Sequence, residues 1–282
     1  MPDRGDRSVK TYPPAHLSPS SVSLLSDCSR LWEGKYKRGK TEARGDGLIL
    51  GSAFDATAEW FLRRRHAGAW PTGEAAGLRF AAAWEAELAR PEPIDWGTRG
   101  ERSAFEDGLN LATSPATLAA WRGITCAPHP DNPAEPALQV QVQLAVPGVS
   151  VPVIGFIDCL ALEPMPGGSL LRIIDFKTAR RAWPRGKERK ELQARIYAAA
   201  LWQGGEPFSR LRTAYWVFLP GMTPEGCRVQ KLDPLLTERD VLMTMESLRK
   251  SWRQIEAGVF TQNPHSWRCN DRCPLWEDCG FA

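Results

Sequence analysis

Near residue 137 the apolar residues of this chain change from a helical spacing to a period of two, and that change restricts the fold. The segment ALQVQVQLAV alternates apolar and polar residues, which is typical of a half-buried strand. Two further strands follow at 153–163 and 170–178, and the turn-forming segment PMPGG lies between them. Helices before a strand meander, and one helix between later strands, predict an α/β or α+β domain with a mixed sheet flanked by helices.

The other elements are predicted from periodicity, helix caps and turn residues. Helices are expected at 18–36, 52–64, 74–90, 101–122, 187–203 and 237–257, and strands at 210–220 and 227–233. Within the first helix, Leu24, Cys28 and Leu31 recur at helical spacing, which places Cys28 on the apolar face. We expect a flexible N-terminus over 1–15, a single domain over 16–282, and a helical insertion over 65–135.

Composition and charge leave the partner open. Hydrophobic residues make up 43% of the chain and charged residues 24%, which is ordinary for a soluble globular protein. No apolar run reaches the roughly 18–20 residues that cross a bilayer, and the polar start lacks an apolar leader. We therefore expect a cytoplasmic protein with no membrane partner. A net charge of +3 neither requires nor excludes nucleic acid.

A basic run follows the strand 170–178. Arg180, Arg181 and four further basic residues up to Lys190 could follow a phosphate backbone, although a solvated surface explains such a run equally well. Trp183, which lies among them, is the best candidate for stacking on a base.

Two aspartates and a lysine are predicted to meet on one hairpin. Asp175 and Lys177 are two residues apart on a strand, so their side chains share a face. If the loop 164–169 is symmetric, Asp158 lies directly opposite Asp175. Like charges facing each other are destabilising, and a divalent cation such as Mg²⁺ or Mn²⁺ would relieve the repulsion. Lys177 could then reach a water or a phosphate, which suits phosphodiester hydrolysis. The alternative is an ordinary acid–lysine salt bridge at a sheet end.

The helix after the hairpin carries a second polar pair. Gln193 and Tyr197 are four residues apart, so they share a helix face beside the acidic residues. Such a pair could bind a phosphate or orient a strand, and a solvent-facing pair is the alternative.

The cysteines need an explanation other than disulfides. The chain has seven, and an odd number in a cytoplasmic protein argues against a disulfide framework. Cys269, Cys273 and Cys279 crowd near the C-terminus, and Cys28 is the candidate for a fourth ligand. Four thiolates suit an iron–sulfur cluster or zinc, and His265 could replace Cys28 in a zinc site. Free thiols are the remaining alternative.

Together these motifs resemble the RecB-like branch of the PD-(D/E)XK nucleases. The segments GFID, DFKT and QARIY match, in order and spacing, its glycine-led aspartate, its acid and lysine, and its glutamine–tyrosine pair. The opening LSPSSVSLLSDCSRLW is similar to the first helix of the family. One early and three late cysteines resemble the iron–sulfur subset, which includes CRISPR-associated and AddAB-type nucleases. The family usually has a histidine ligand where this chain has Asp55.

The resemblance implies a restriction-endonuclease-like fold and a metal-dependent DNA exonuclease acting on single strands or duplex ends. It implies Mg²⁺ or Mn²⁺ bound by Asp55, Asp158, Asp175 and the Phe176 carbonyl. Lys177 would activate water, Gln193 and Tyr197 would position the strand, and Arg180, Arg181 and Trp183 would contact DNA. It further implies a 4Fe–4S cluster that joins the tail 259–282 to the helix of Cys28, with zinc as the alternative. Protein partners in repair, recombination or CRISPR adaptation fit this resemblance, and the oligomeric state is not predicted. The rival hypothesis is an inactive nuclease-fold subunit that binds or docks DNA.

Overall fold

A computed structural model describes residues 12–280. The helices are α1 (Pro19–Asp27), α2 (Ser29–Tyr36), α3 (Asp46–His66), α4 (Gly73–Leu88), α5 (Gly100–Thr113), α6 (Pro115–Arg122), α7 (Leu192–Gln203) and α8 (Glu238–Glu256). The strands are β1 (Arg44–Gly45), β2 (Ile94–Asp95), β3 (Leu138–Leu144), β4 (Val153–Met165), β5 (Gly168–Thr178), β6 (Leu211–Leu219) and β7 (Arg228–Leu232). No described helix combines the length and hydropathy that crossing a bilayer requires.

The predicted mixed sheet is confirmed. Within residues 12–280 five strands form it in the order β3-β4-β5-β6-β7, and β1 pairs separately with β2. β4 and β5 are antiparallel, whereas β5 and β6 are parallel and are connected through α7. A parallel pair needs such a crossover because its strands start at the same edge of the sheet. α7 is thereby placed over the strands that carry Asp158 and Asp175.

The β4–β5 hairpin has the predicted register but a tighter turn. Met165 pairs with Gly168, so Pro166 and Gly167 alone form the loop, instead of the expected residues 164–169. Gly167 has a φ of 81°, which a residue without Cβ adopts at little cost. The register survives because the observed turn has the same centre as the predicted loop.

The chain divides into two compact units. One contains residues 12–42, 143–155 and 242–280, and the other contains Ala43–Val142 and Phe156–Val241. The core of the second unit is rich in aromatic side chains; the Phe54 ring lies 4.8 Å from that of Phe218 and 5.2 Å from that of Trp121. α4, α5 and α6 supply much of the region 65–135, which is helical as predicted. The single domain and the insertion stay predictions.

The first predicted helix is two helices. α1 ends at Asp27 and α2 begins at Ser29, while Cys28 between them has extended backbone, with φ −145° and ψ 100°. The placement of Cys28 on an apolar helix face was therefore wrong. The Cys28 N–H still donates to the Leu24 carbonyl, as it would in a continuous helix. The apolar spacing also continues through Cys28, so it did not reveal the break.

Two other helices are shorter than predicted. The expected helix 101–122 is interrupted because Ser114 caps a new helix and Pro115 occupies its first position. The expected helix 187–203 begins only at Leu192, and residues 184–190 form turns. The predicted cap of α8 is present, since the Thr237 N–H donates to the Asp240 carboxylate at 2.9 Å.

The predicted flexible N-terminus lies mostly outside the described residues, which begin at Tyr12. The Tyr12 hydroxyl donates to the Ile255 carbonyl at 2.6 Å, so this end of the predicted segment is held by a hydrogen bond.

Candidate active site

Asp158 and Asp175 lie on neighbouring strands at the end of the hairpin away from its turn. Cys159 pairs with Ile174, so the next step of the same register places Asp158 opposite Asp175. The Phe176 N–H donates to Asp158 Oδ2 at 2.7 Å. Asp175 is only 2% exposed, and its Oδ1 has no hydrogen-bond partner among the described residues. A buried carboxylate oxygen without a partner is costly, which makes this oxygen a candidate ligand for a cation.

Lys177 provides the positive charge of the cluster. Its Nζ forms an ion pair with Asp175 Oδ2, as expected for two side chains on the same face of β5. Burial disfavours its charged form, but attraction to Asp175 and Asp158 outweighs burial, so the pKa of Lys177 is raised. The lysine is therefore a permanent cation at neutral pH.

Asp55 joins this group from α3. Burial raises its pKa well above the usual range, and the charges of Asp158 and Asp175 raise it further, while Lys177 opposes them. Burial, followed by repulsion from Asp175, also raises the pKa of Asp158 to about 7. Burial raises the pKa of Asp175, which its ion pair with Lys177 opposes. Three carboxylates thus share one ammonium group, and their mutual repulsion is only partly neutralised.

The α7 pair connects the helix to β4. The Gln193 amide donates to the Tyr197 hydroxyl at 2.8 Å, and that hydroxyl donates to the Phe156 carbonyl at 2.5 Å. Phe156 precedes Asp158 by two residues, so Tyr197 holds the backbone that presents the carboxylate. The predicted contact of Gln193 and Tyr197 with DNA stays a prediction.

Replacing Tyr197 by phenylalanine should lower the free energy of unfolding by about 1 kcal/mol, because the Phe156 carbonyl loses its donor. Urea unfolding would measure this change. Gln193→Ala, the matched control, leaves that carbonyl bond in place and should have the smaller effect. If Tyr197→Phe and the wild type have the same urea midpoint, the Tyr197 hydroxyl does not stabilise this part of β4.

Two residues near Asp158 were not singled out from the sequence. The Gln139 amide lies 3.5 Å from Asp158 Oδ1, and its backbone has a φ of 51°, which is unusual outside glycine. Phe156 is 50% exposed on the same face of β4 as Asp158. The available signal was an aromatic residue two positions before Asp158, which shares its strand face, but only the structure shows that the ring is exposed.

The predicted DNA contacts have different surroundings. Arg180 pairs with Asp46 and lies 3.9 Å from an Asp107 oxygen, while Arg181 is exposed. Trp183 is only 9% exposed, and its ring packs 5.2 Å from that of Tyr215. Little of that ring is open to a base, so burial disfavours stacking by Trp183. The Phe176 ring faces the aromatic core, and its carbonyl as a metal ligand stays a prediction.

The four predicted cluster cysteines lie around one cavity in the first unit. Cys28, Cys269, Cys273 and Cys279 line it together with Leu31 and Leu275, and its volume is about 20 Å³. Hydrogen bonds hold the tail beside α2; one joins the Arg30 N–H to the Thr261 carbonyl at 3.0 Å. His265 is exposed and does not line this cavity as described, so the alternative with His265 has less support.

Neither group is arranged as a finished metal site. Among residues 12–280, no three histidine, cysteine, aspartate or glutamate side chains are placed to hold a metal ion. The acidic group and the cysteine group thus contain residue types that bind metals, but their side chains are not placed around a common point as metal ligands would be.

Comparison with known proteins identifies one family. A family model described as the PD-(D/E)XK nuclease superfamily matches residues 16–280. No curated protein matches the chain. A crystal structure of a "Putative exonuclease" from Eubacterium rectale is 10% identical with a TM-score of 0.51, covering 92% of this chain and 87% of that chain. A crystal structure of SSO0001 is 13% identical with a TM-score of 0.35, covering 92% and 95%. At 10% identity the first of these two structures bears on the fold alone.

Proposed function

Because the chain belongs to the PD-(D/E)XK nuclease superfamily, we propose that it is a metal-dependent deoxyribonuclease that hydrolyses phosphodiester bonds in single-stranded DNA or at duplex ends. The observation that carries this proposal is the meeting of Asp158 and Asp175 with Lys177 at one end of the hairpin, where their charges also act on Asp55 of α3.

The acidic group fits a divalent cation in its chemistry. Asp175 Oδ1 has no partner among the described residues. Besides burial, the charge of Asp175 raises the pKa of both Asp55 and Asp158, so a bound cation would relieve this repulsion. Hard carboxylate oxygens suit Mg²⁺ or Mn²⁺. Asp55, Asp158 and Asp175 would hold the ion, with the Phe176 carbonyl as a further ligand. When bound, such an ion polarises the phosphoryl oxygen and lowers the pKa of a water.

The chain's own residues have separable roles in this proposal. Asp175 holds the ammonium of the partly exposed Lys177 beside the carboxylates, where the lysine can orient a water and stabilise the charge that develops on the phosphate. The Phe176 N–H donates to Asp158 Oδ2, and the ion would be bound through Oδ1, in place of the long contact of that oxygen with the Gln139 amide. Tyr197 keeps that part of β4 in place through the Phe156 carbonyl.

Phe156 favours an unpaired strand as substrate. Its ring is half exposed beside Asp158, and bases of single strands stack on such rings for about 1–3 kcal/mol each. Phe156→Ala should therefore raise KM for a single-stranded oligonucleotide by roughly tenfold, with a smaller change in kcat. Steady-state kinetics would measure this. Phe156→Tyr should keep the wild-type KM, and so should Trp70→Ala, which removes another exposed aromatic. An unchanged KM for Phe156→Ala would sink the stacking role.

The direct test of the proposed function is cleavage of end-labelled DNA. Purified protein should shorten a single-stranded oligonucleotide in Mg²⁺ or Mn²⁺, and a chelator should stop the reaction. Shortening from one end would support exonuclease action. Comparison with blunt duplex and with RNA of the same sequence would define the substrate.

A binding or docking subunit is the second candidate. The observation that favours it is Asp55 at the position where the family pattern has a histidine. DNA binding without cleavage in any divalent ion would select this candidate. Cytoplasmic repair, recombination or CRISPR adaptation, with protein partners, is the setting that the sequence resemblance implies for either candidate.

We propose that the cysteine cavity holds a structural metal centre, with a 4Fe–4S cluster favoured and zinc as the alternative. Support comes from the four cysteines around one cavity, although the described side chains are not closed into a site. Bound metal would crosslink residue 28 to the tail that follows α8.

A further inference from the structure

Two further cysteines, Cys126 and Cys159, belong neither to the acidic group nor to the four cysteines around the cavity. The sulfur atoms of Cys126 and Cys159 are 4.0 Å apart, and neither residue lines the cysteine cavity. Cys126 is partly exposed, whereas Cys159 is fully buried in β4. Two thiols at this separation are within reach of each other if one side moves.

The backbone holds the two residues side by side. Cys126 lies opposite Ala161 in an antiparallel bridge, and the Ala127 N–H donates to the Leu160 carbonyl at 2.8 Å. Ala161 and Cys159 are two residues apart on β4, so the side chains share a face. A disulfide needs sulfur atoms about 2.05 Å apart, which requires a closure of about 2 Å. The segment around Cys126 belongs to no extended strand, so it can supply that movement more easily than β4.

Cys126 is also accessible from a surface cavity, and its surroundings favour the thiolate form. It lines a cavity of about 190 Å³ together with Arg65, His66 and three further residues. The pKa of Cys126 is lowered, first by its contact with Cys159 and then, against the effect of burial, by Arg63 and Arg65. A partly exposed thiol beside cations is the environment in which cysteines react with oxidants.

We propose that Cys126 and Cys159 form a redox-sensitive dithiol that a peroxide converts to an intramolecular disulfide. Cys126 Sγ attacks one peroxide oxygen, the O–O bond breaks, and Cys126 becomes a sulfenic acid as the first water leaves. Cys159 Sγ then attacks the sulfur of Cys126, the S–O bond breaks, and the second water leaves. Together the two thiols lose two electrons and two protons, and the peroxide is reduced to two molecules of water. A dithiol reductant reverses the change by thiol–disulfide exchange.

The consequence for catalysis rests on the proposed nuclease function. Cys159 is the immediate neighbour of Asp158, whose carboxylate accepts from the Phe176 N–H on the other face of β4. Formation of the disulfide pulls on this part of the strand. A displacement of a site residue by about 1 Å can cost a hundredfold in rate, so we expect the oxidised protein to cleave DNA about tenfold more slowly.

The sequence allows a direct chemical test. Cleavage after lysine and arginine releases residues 123–172 as one peptide, which contains Cys126 and Cys159 and none of the other cysteines. The full chain would be treated with hydrogen peroxide, alkylated, digested and weighed by mass spectrometry. The expected result is a peptide lighter by two hydrogen atoms and blocked to alkylation, which a dithiol reductant returns to the doubly alkylated form.

Controls separate this pair from the other cysteines and from catalysis. Cys126→Ser should abolish the link, and this partly exposed position tolerates the change; Cys227→Ser should leave the link intact. Doubly alkylated peptide after peroxide treatment would overturn the proposal, whether or not the protein cleaves DNA. If the disulfide forms in an active preparation and cleavage does not slow, the proposed effect of the disulfide on Asp158 is wrong. A preparation that cleaves no DNA before treatment would count against the nuclease function. Its peptide mass would still show whether Cys126 and Cys159 form a disulfide.

Discussion

Asp175→Asn should lower the rate of DNA cleavage in Mg²⁺ or Mn²⁺ by about a thousandfold, equal to ~4 kcal/mol of transition-state stabilisation. Asp175 is the most buried carboxylate of the site, and its Oδ1 has no competing partner among the described residues. Asparagine keeps the shape and one oxygen for Lys177, but it removes the negative charge that a cation needs. Single-turnover cleavage of a labelled oligonucleotide measures the loss of the chemical step.

The same variant should keep its fold. Removing one of three mutually repelling carboxylates relieves electrostatic strain, so the metal-free protein should unfold at or above the wild-type temperature. Added Mn²⁺ should stabilise the wild type more than the variant, because only the complete ligand set binds the ion tightly. Asp131→Asn is the matched control, since that side chain is 92% exposed. Cleavage by Asp175→Asn at a rate near the wild-type rate would refute the proposed site.

Cys273→Ser should remove the bound metal and lower the melting temperature by roughly 10 °C. Serine fills nearly the same volume at this partly exposed position, so packing alone predicts a much smaller change. A structural metal site contributes several kcal/mol to folding, and one missing thiolate is enough to weaken it greatly. Iron and zinc analysis of anaerobically purified protein, with visible absorbance and thermal unfolding, measures both effects.

Cys227→Ser is the control for this prediction. Cys227 is buried in the second unit and does not line the cysteine cavity, so its replacement should leave the metal content unchanged. Iron with visible absorbance would select the cluster, and zinc in a colourless protein would select the alternative. Wild-type protein free of both metals, with the same melting temperature as Cys273→Ser, would rule out a structural metal centre.

The hairpin shows how far local pattern carries a prediction. The register was predicted from a symmetric loop around the glycine-containing segment between the two strands. A slip by one residue would turn every side chain of one strand to the other face, so the centre of the loop has to be correct. The predicted loop was too long, yet its centre was correct, so Asp158 and Asp175 were placed in register. Lys177 followed at once, since residues two apart on a strand share a face.

Helix breaks were predicted less well. Cys28 continues the apolar spacing of the residues around it, but the chain is extended there, between α1 and α2. Pro115 and its capping serine did mark the break before α6, although helical spacing on both sides suggested one continuous helix. Spacing reports which residues face the core, and it does not report whether the helical hydrogen bonds continue.

By itself the sequence determined the strand register and the shared face of Asp175 and Lys177, because each depends on spacing along a short piece of chain. Only the tertiary structure decided that Tyr197 holds the Phe156 carbonyl, that Trp183 is buried, and that Cys126 lies beside Cys159. These depend on which helix packs over which strand, and that is settled by burial of the whole apolar surface, which no local pattern contains.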